Sequence, residues 1–300
     1  MRIAALVTAC VIVSGGLRAQ EAQLPDFQQL YNAVRQNLAN AEKVAFLYAF
    51  KERRTDVHTN PFGRLGTGGT RVFDVYPSPT RQLTYRRLLE RNGMTVGARE
   101  LAEQDRQYRT RVADVQKQLA VRSGDERRER EESAARARRR GQTAIEDVVD
   151  ALQFKIEGRG VRDGVPALVV TFTPRPSARP TTREGRTAQK FAGTAWIDER
   201  AAEVLRVEAK AVDDISFGLG VVARLGEGTT ATLVRRPVEG GIWMPTQLRL
   251  NGTGRAALFR KLVIDYALDW YDYRRLSGDS ATPFLGVDPR VQGQPERGPQ

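Results

Sequence analysis

Three hundred residues with a net charge of +12, a single cysteine and a single histidine limit the chemistry from the start. A single histidine argues against a histidine-based metal site, and against Ser-His-Asp or Cys-His catalysis, which would have to rest on His58 alone. The length is enough for one sizeable domain with an insertion.

The chain opens Met1-Arg2 and then runs uncharged from Ile3 to Leu17. Positive Arg2, apolar Ile3 to Val13, the break at Ser14-Gly15-Gly16 and small Ala19 form the pattern of a cleavable export signal over residues 1–19. The apolar run is too short for a permanent membrane span. The expected compartment is therefore the periplasm. Val7-Thr8-Ala9-Cys10 loosely resembles a lipobox, in which Cys10 would carry a lipid, but the apolar run continues past Cys10 and favours simple cleavage. Cys10 then leaves with the signal, and the mature chain has no disulfide or thiol chemistry. Losing Arg2 and Arg18 takes the net charge from +12 to about +10. Within a cell such charge points to nucleic acid. For an exported protein it points to anionic lipid head groups or acidic polymers, or simply to solubility, and nucleic acid is not expected.

The elements follow in order. Residues 24–40 predict an amphipathic helix, with Phe27, Leu30, Tyr31, Val34 and Leu38 at steps of three and four. Val44, Phe46, Tyr48 and Phe50 alternate with Ala45, Leu47 and Ala49, which predicts a strand with its large residues on one face. His58 reads as an exposed residue at a strand end. Pro61 to Gly69 reads as a glycine-rich turn. Its GRLGTGGT run lacks the lysine and the following helix of a phosphate loop. Strands are expected at 71–76 and 81–91, then a tight turn at Asn92-Gly93. Residues 98–140 are densely charged and predict a helical insertion with one narrow stripe of Leu101, Tyr108, Val112, Val115 and Leu119. The stretch 126–140 has no stripe, and its Arg136, Arg138, Arg139 and Arg140 are candidates for contact with an anionic membrane surface. Thr143 and Glu146 are spaced as a capping box for a short helix over 143–152. Glu146, Asp147 and Asp150 on that helix read as a solvated face.

The rest reads as β. Segments 154–158 and 167–173 form a hairpin, followed by a loop to about Gly185. Strands are expected at 190–198, 204–212, 217–225, 229–236, 242–251 and 256–273. The turn residues between them include Asp198-Glu199-Arg200 and Asn251-Gly252-Thr253-Gly254. Connections this short make neighbouring strands antiparallel. Asn251-Gly252-Thr253 also fits a glycosylation sequon, which turn chemistry explains. Residues 277–300, rich in proline, glycine and charge, read as a flexible tail.

The strands are two-faced. Tyr266, Leu268 and Trp270 stand with Leu262 and Ile264, opposite Val263, Asp265, Ala267 and Asp269. Leu205, Val207, Ala209 and Ala211 stand opposite Arg206, Glu208 and Lys210. A sheet with one apolar face needs a cover, and incomplete cover by helices leaves room for a lipid or acyl chain. The expected fold is α+β: a large curved antiparallel sheet, an incomplete β-barrel, with an N-terminal helix and a helical insertion covering one face.

Four stretches carry a resemblance. They are Phe191-Ala192-Gly193-Thr194-Ala195-Trp196-Ile197-Asp198, Val204-Leu205-Arg206-Val207-Glu208, Gly241-Ile242-Trp243-Met244-Pro245 and Tyr271-Asp272-Tyr273-Arg274-Arg275. Over residues 24–275 the chain resembles the outer-membrane lipoprotein-sorting superfamily, the LolA/LolB-like fold. That resemblance implies an incomplete barrel with a helical lid over an apolar cavity, and a carrier or sensor of lipoprotein acyl chains or other lipids. The chain departs from it in the insertion 98–141 and the loop 174–188.

The expectation is a non-enzymatic, monomeric periplasmic protein with residues 20–276 as one domain, no cofactor and no metal. Phe46, Tyr48, Phe50, Leu83, Tyr85, Trp196 and Trp243 are the candidate apolar lining. The alternatives are an envelope interaction or sensor module that grips a partner protein through 98–141, and a hydrolase with a carboxylate-only site.

Overall fold

A computed structural model describes residues 23–59, 65–78, 83–120, 146–217, 223–256 and 260–276. The expected signal over 1–19 with Cys10, Arg136 to Arg140, Thr143 and the tail 277–300 lie outside these residues, as does the His58 side chain.

Helix α1 (Phe27–Val44) starts at Asp26, whose carboxylate accepts a hydrogen bond from the Gln29 N–H at 3.0 Å, as an N-cap should. It runs past the expected end at residue 40, because Ala39, Ala41 and Glu42 are good helix formers. The strand expected from Val44 begins only at Tyr48, after a single 3₁₀ turn, Ala45–Leu47. Phe46 therefore sits in that turn. Leu30 and Val34 of the stripe pack into the core, whereas Leu38 is exposed.

Among the described residues thirteen strands form one open antiparallel sheet: β1 (Tyr48–Thr59), β2 (Leu65–Tyr76), β3 (Tyr85–Arg91), β4 (Met94–Thr95), β5 (Leu152–Arg162), β6 (Val165–Pro174), β7 (Phe191–Asp198), β8 (Val204–Ala211), β9 (Ile215–Phe217), β10 (Ala223–Leu225), β11 (Thr230–Pro237), β12 (Trp243–Ala256) and β13 (Arg260–Arg275). Their order is β4-β3-β2-β1-β13-β12-β11-β8-β7-β6-β5, with β10 pairing β12 and β9. The α+β class read from the sequence holds. Asn92-Gly93 and Asp163-Gly164 close hairpins with positive φ at both positions, the signature of the turn whose twist suits a hairpin.

Several element limits differ from the sequence reading. Leu65 to Gly69, expected as turn, belongs to β2, and Gly69 leaves room for the Asn92 side chain of the neighbouring turn. The single strand expected at 217–225 is a pair, β9 and β10. The loop to Gly185 ends in a short helix, α3 (Arg183–Ala188), capped by Thr182. Asn251 to Gly254, read as a turn, lies inside β12. There Gly252 lies against the Thr229 side chain and Gly254 against the Arg224 backbone, so glycine serves close packing and not chain reversal.

Residues paired across an antiparallel ladder share a face, and the register can be followed through the whole sheet. Leu30 of α1 packs on Leu168, Val170 and Ile197. Helix α2 (Ala98–Ala120) packs through Tyr108 and Val112 on Ala49, Tyr76 and Tyr85. Stepping through the pairs from Val75, next to Tyr76, leads to Val170. The two helices therefore cover opposite faces, α1 at the β5–β8 end and α2 at the β1–β3 end, where the sequence reading had placed both on one. The reason is local. Tyr85 and Tyr76 point to the face opposite Val75, and Tyr108 stacks on Tyr85 at 4.2 Å between ring centroids.

Tyr108 is fully buried and its hydroxyl donates to the Leu83 carbonyl at 2.9 Å. Replacing it with alanine leaves a ring-sized void and is expected to cost about 3–5 kcal/mol. Chemical denaturation checks this; a loss below about 1 kcal/mol contradicts the packing role of α2.

Candidate functional site

One cross-strand row organises the face that α1 partly covers. Arg91 pairs with Arg71, Arg71 with Arg54, and Arg54 with Leu268. The row continues through Leu248, Leu233, Val207, Ala195 and Val170 to Ile156. On one side of it lie Tyr266, Leu250, Ala231 and Ala209, and on the other Trp270, Phe73 and Leu88. Beneath α1 the row is dry, with Leu168 and Val170 buried. Away from α1 it is not: Val207, Leu233, Leu248, Leu250, Tyr266 and Trp270 are only half-buried. Apolar side chains side by side and half-open to water form a continuous patch, which is what a ligand or partner can cover.

Polar groups on this face are held. Glu52 is 2 % exposed. Its carboxylate accepts from Arg86 Nη1 at 2.5 Å and from the Trp270 indole N–H at 3.0 Å. Arg235 is buried, donating to Glu203 at 2.8 Å and to the Trp243 carbonyl at 2.7 Å. Burial raises the pKa of Glu203, and Arg235 opposes that rise. Buried charges are tolerated only with such partners.

Of the candidate lining residues, three share the apolar face by register. Tyr48 is buried with its hydroxyl on the Glu239 carbonyl, Phe50 packs on the Tyr273 ring at 5.3 Å, and Trp243 lies opposite Pro237 at the start of β12. Phe46 is half-buried in its 3₁₀ turn. Leu83, Tyr85 and Trp196 are elsewhere. Leu83 and Tyr85 pack under α2. Trp196 lies on the polar face with Arg162 over its ring at 4.3 Å. The residues missed, Val207, Leu233, Leu248, Leu250 and Trp270, were visible as alternating apolar positions. Their common face becomes evident only once the strands are paired.

The opposite face is a lattice of ion pairs. Arg162 and Arg206 both reach Glu208 at 2.6 Å, and Arg249 reaches Asp269 at 2.6 Å. Arg87 grips Asp105 of α2 through two bonds of 2.9 Å, and Tyr85 donates to the same carboxylate at 2.6 Å. Burial opposes ionisation of Asp105, yet these donors hold its pKa below the usual carboxylate value. Asp147, read as solvated, instead accepts from Thr181 and Thr182 and fastens the loop before α3. Asp198 accepts from Arg200 and Ala201, the local turn bonding expected of it.

Beside α3 a groove of about 460 Å³, broadly open to solvent, is lined by Arg183, Glu184, Thr187, Ala188 and Phe191. Among the described residues no group of three or more His, Cys, Asp or Glu side chains is placed to hold a metal ion, and no helix is long and apolar enough to cross a membrane.

No protein-family profile matches the chain, and no curated protein matches it. Two solved structures are similar. One is described as an outer membrane lipoprotein-sorting protein domain from Vibrio parahaemolyticus, 11 % identical, covering 87 % of this chain and 99 % of that one with a TM-score of 0.35. The other is a DUF1329 family protein from Desulfovibrio piger, 12 % identical, covering 84 % and 97 % with a TM-score of 0.26.

Three tyrosines are held un-ionised. Burial, with a hydrogen bond to Asp74, pushes the Tyr76 hydroxyl up to about 12. Burial likewise raises Tyr85 and Tyr273. A pKa raised in the fold adds stability that is complete below the unfolded value near 10 and is lost as pH rises above it. Ultraviolet phenolate titration should show these groups ionising only together with loss of structure, above about pH 11. Titration of every tyrosine near pH 10 in an intact fold contradicts these environments.

Proposed function

We propose that this chain is an exported, non-enzymatic periplasmic protein, with residues 20–276 as its domain, that binds a lipid or lipoprotein acyl chain on its apolar sheet face as a carrier or sensor. One observation carries the reading: the row that is buried under α1 continues, equally apolar but half-open, through Val207, Leu233 and Leu248 to the buried Leu268. Each methylene buried there is worth about 0.8 kcal/mol, so an acyl chain needs no polar chemistry to be held. The face is framed by fixed polar groups, Glu52 and Arg235, that keep the strands beneath it in register.

A second reading draws on the position of α2. Because it docks on the polar face, α2, the described part of the insertion, lies on the side of the sheet away from the apolar face. That leaves the insertion, including Arg136 to Arg140, to contact an envelope protein or an anionic membrane surface.

The purified protein is expected to take up a fluorescent fatty acyl probe. Leu248→Lys puts a charge in the middle of the row and should weaken uptake about tenfold or more, while Trp196→Phe, on the polar face, should leave it unchanged. Probe titration with a melting curve for each variant checks this. Undiminished uptake by a folded Leu248→Lys protein contradicts the assignment of the site.

A further inference from the structure

The half-open part of the apolar face leads to a built wall at α3. By alternation along β7, Phe191 shares a face with Gly193 and Ala195, and Ala195 packs against the Leu30 cluster of α1. Phe191 and Ala188 line the groove of about 460 Å³ beside α3, a volume within the roughly 300–1,000 Å³ usual for small-ligand sites. The wall is fixed in place. Asp147 accepts from the Thr181 and Thr182 N–H groups, Thr182 caps α3, and the Gln189 side chain donates to the Ala178 carbonyl at 3.0 Å. The path from the half-open row to this groove is low. Ala209 and Ala231 stand opposite each other, one position along from Val207 and Leu233, and Ala209 pairs with Gly193. Side chains this small let an acyl chain cross β11 and β8 without climbing over a ridge.

We propose that the α3 groove receives the methyl end of the acyl chain, so that α3 sets the chain length the protein prefers. The inference rests on the acyl-binding reading and adds the class of ligand, a long-chain acyl group. The lining suits a tail better than a head. Thr187, Ala188 and Phe191 form its half-buried part, whereas Arg183 and Glu184 are exposed. Arg183 is engaged within the chain as well. Small-ligand sites orient a polar head with precisely placed polar groups, and none of the described lining residues is a buried polar one. An apolar end needs none, because burial alone drives it. The distance fits too. Leu248 and Ala195 are three strands apart in one row, and Phe191 lies four residues along β7 from Ala195. At about 4.8 Å per strand and 3.3 Å per residue, the diagonal from Leu248 to Phe191 is roughly 19 Å. A fully staggered hexadecanoyl chain spans about that length.

The test measures, on the whole protein, the affinities of fluorescent acyl probes that differ only in chain length, from decanoyl to hexadecanoyl. Each methylene that reaches the protein should tighten binding about fourfold, and the gain should continue to the longest chain. Ala188→Trp fills the groove. It should leave the decanoyl probe unchanged and weaken the hexadecanoyl probe about tenfold or more, the worth of two methylenes. Thr187→Trp, on the same wall, should act in the same direction and serves if Ala188→Trp fails to fold. In the unaltered protein, a nitroxide at the methyl end of hexadecanoate should broaden the Ala188 and Phe191 amide signals, and one beside the carboxylate should not. Undiminished hexadecanoyl affinity in the folded variants, equal loss of both probes, or no broadening by the methyl-end label overturns the groove assignment alone. Failure of every probe to bind overturns the acyl-binding reading and this inference with it.

Discussion

Everything placed on this sheet depends on the strict two-residue alternation of a strand, carried in register from one pair to the next. Paired residues share a face, so a continuous ladder turns thirteen short alternating patterns into two extended surfaces. One is apolar from Leu268 to Ile156; the other carries the Arg162–Glu208–Arg206 and Arg249–Asp269 pairs. A register slip of one residue in a central strand such as β12 would put Arg249 among leucines and Leu248 among ion pairs. The bulges fall between cross-strand rows, as between Val234 and Arg235 and between Ile156 and Gly158, and leave the central row itself paired.

Positions that do not alternate protect this arrangement. At the β3 edge, Gln104 of α2 offers its side-chain amide to the Leu88 N–H and carbonyl at 2.8 and 3.3 Å, standing in for a further strand. That limits pairing with another chain at this edge. Gly193 on β7 lies so close to the β8 backbone and the Phe172 ring that a Cβ would collide with both. It lets β7 and β8 approach under α1. The buried Arg235–Glu203 pair joins β11 to the start of β8 beside the apolar face. These contacts join strands and helix to one another, so their value lies in holding the ladder rather than in touching a ligand.

Much of this architecture is legible in the chain. The α1 stripe, the hairpin at Asn92-Gly93 and the two-faced pattern of β8 and β13 all follow from local periodicity. Glycine misleads in two directions: Gly252 and Gly254 read as a turn but serve close packing within β12, and Gly66 to Gly69 read as a loop but continue β2. The candidate site was legible only as to kind. Tyr48, Phe50 and Trp243 share the apolar face, whereas Tyr85 and Trp196 face away. Which face of one strand continues onto the next depends on register, and register depends on bulges that leave little mark in composition.

The tryptophans allow a direct reading of which face receives the acyl chain. Trp270 stands on the apolar face beside the row, hydrogen-bonded to Glu52, and Trp196 stands on the polar face under Arg162. A fatty acid spin-labelled along its chain quenches only indoles that it approaches. In two single-tryptophan proteins, one retaining Trp270 and one retaining Trp196 with phenylalanine at the other positions, the probe should quench Trp270 strongly and Trp196 weakly or not at all. Equal quenching of both, or quenching of Trp196 alone, would contradict binding on the apolar face.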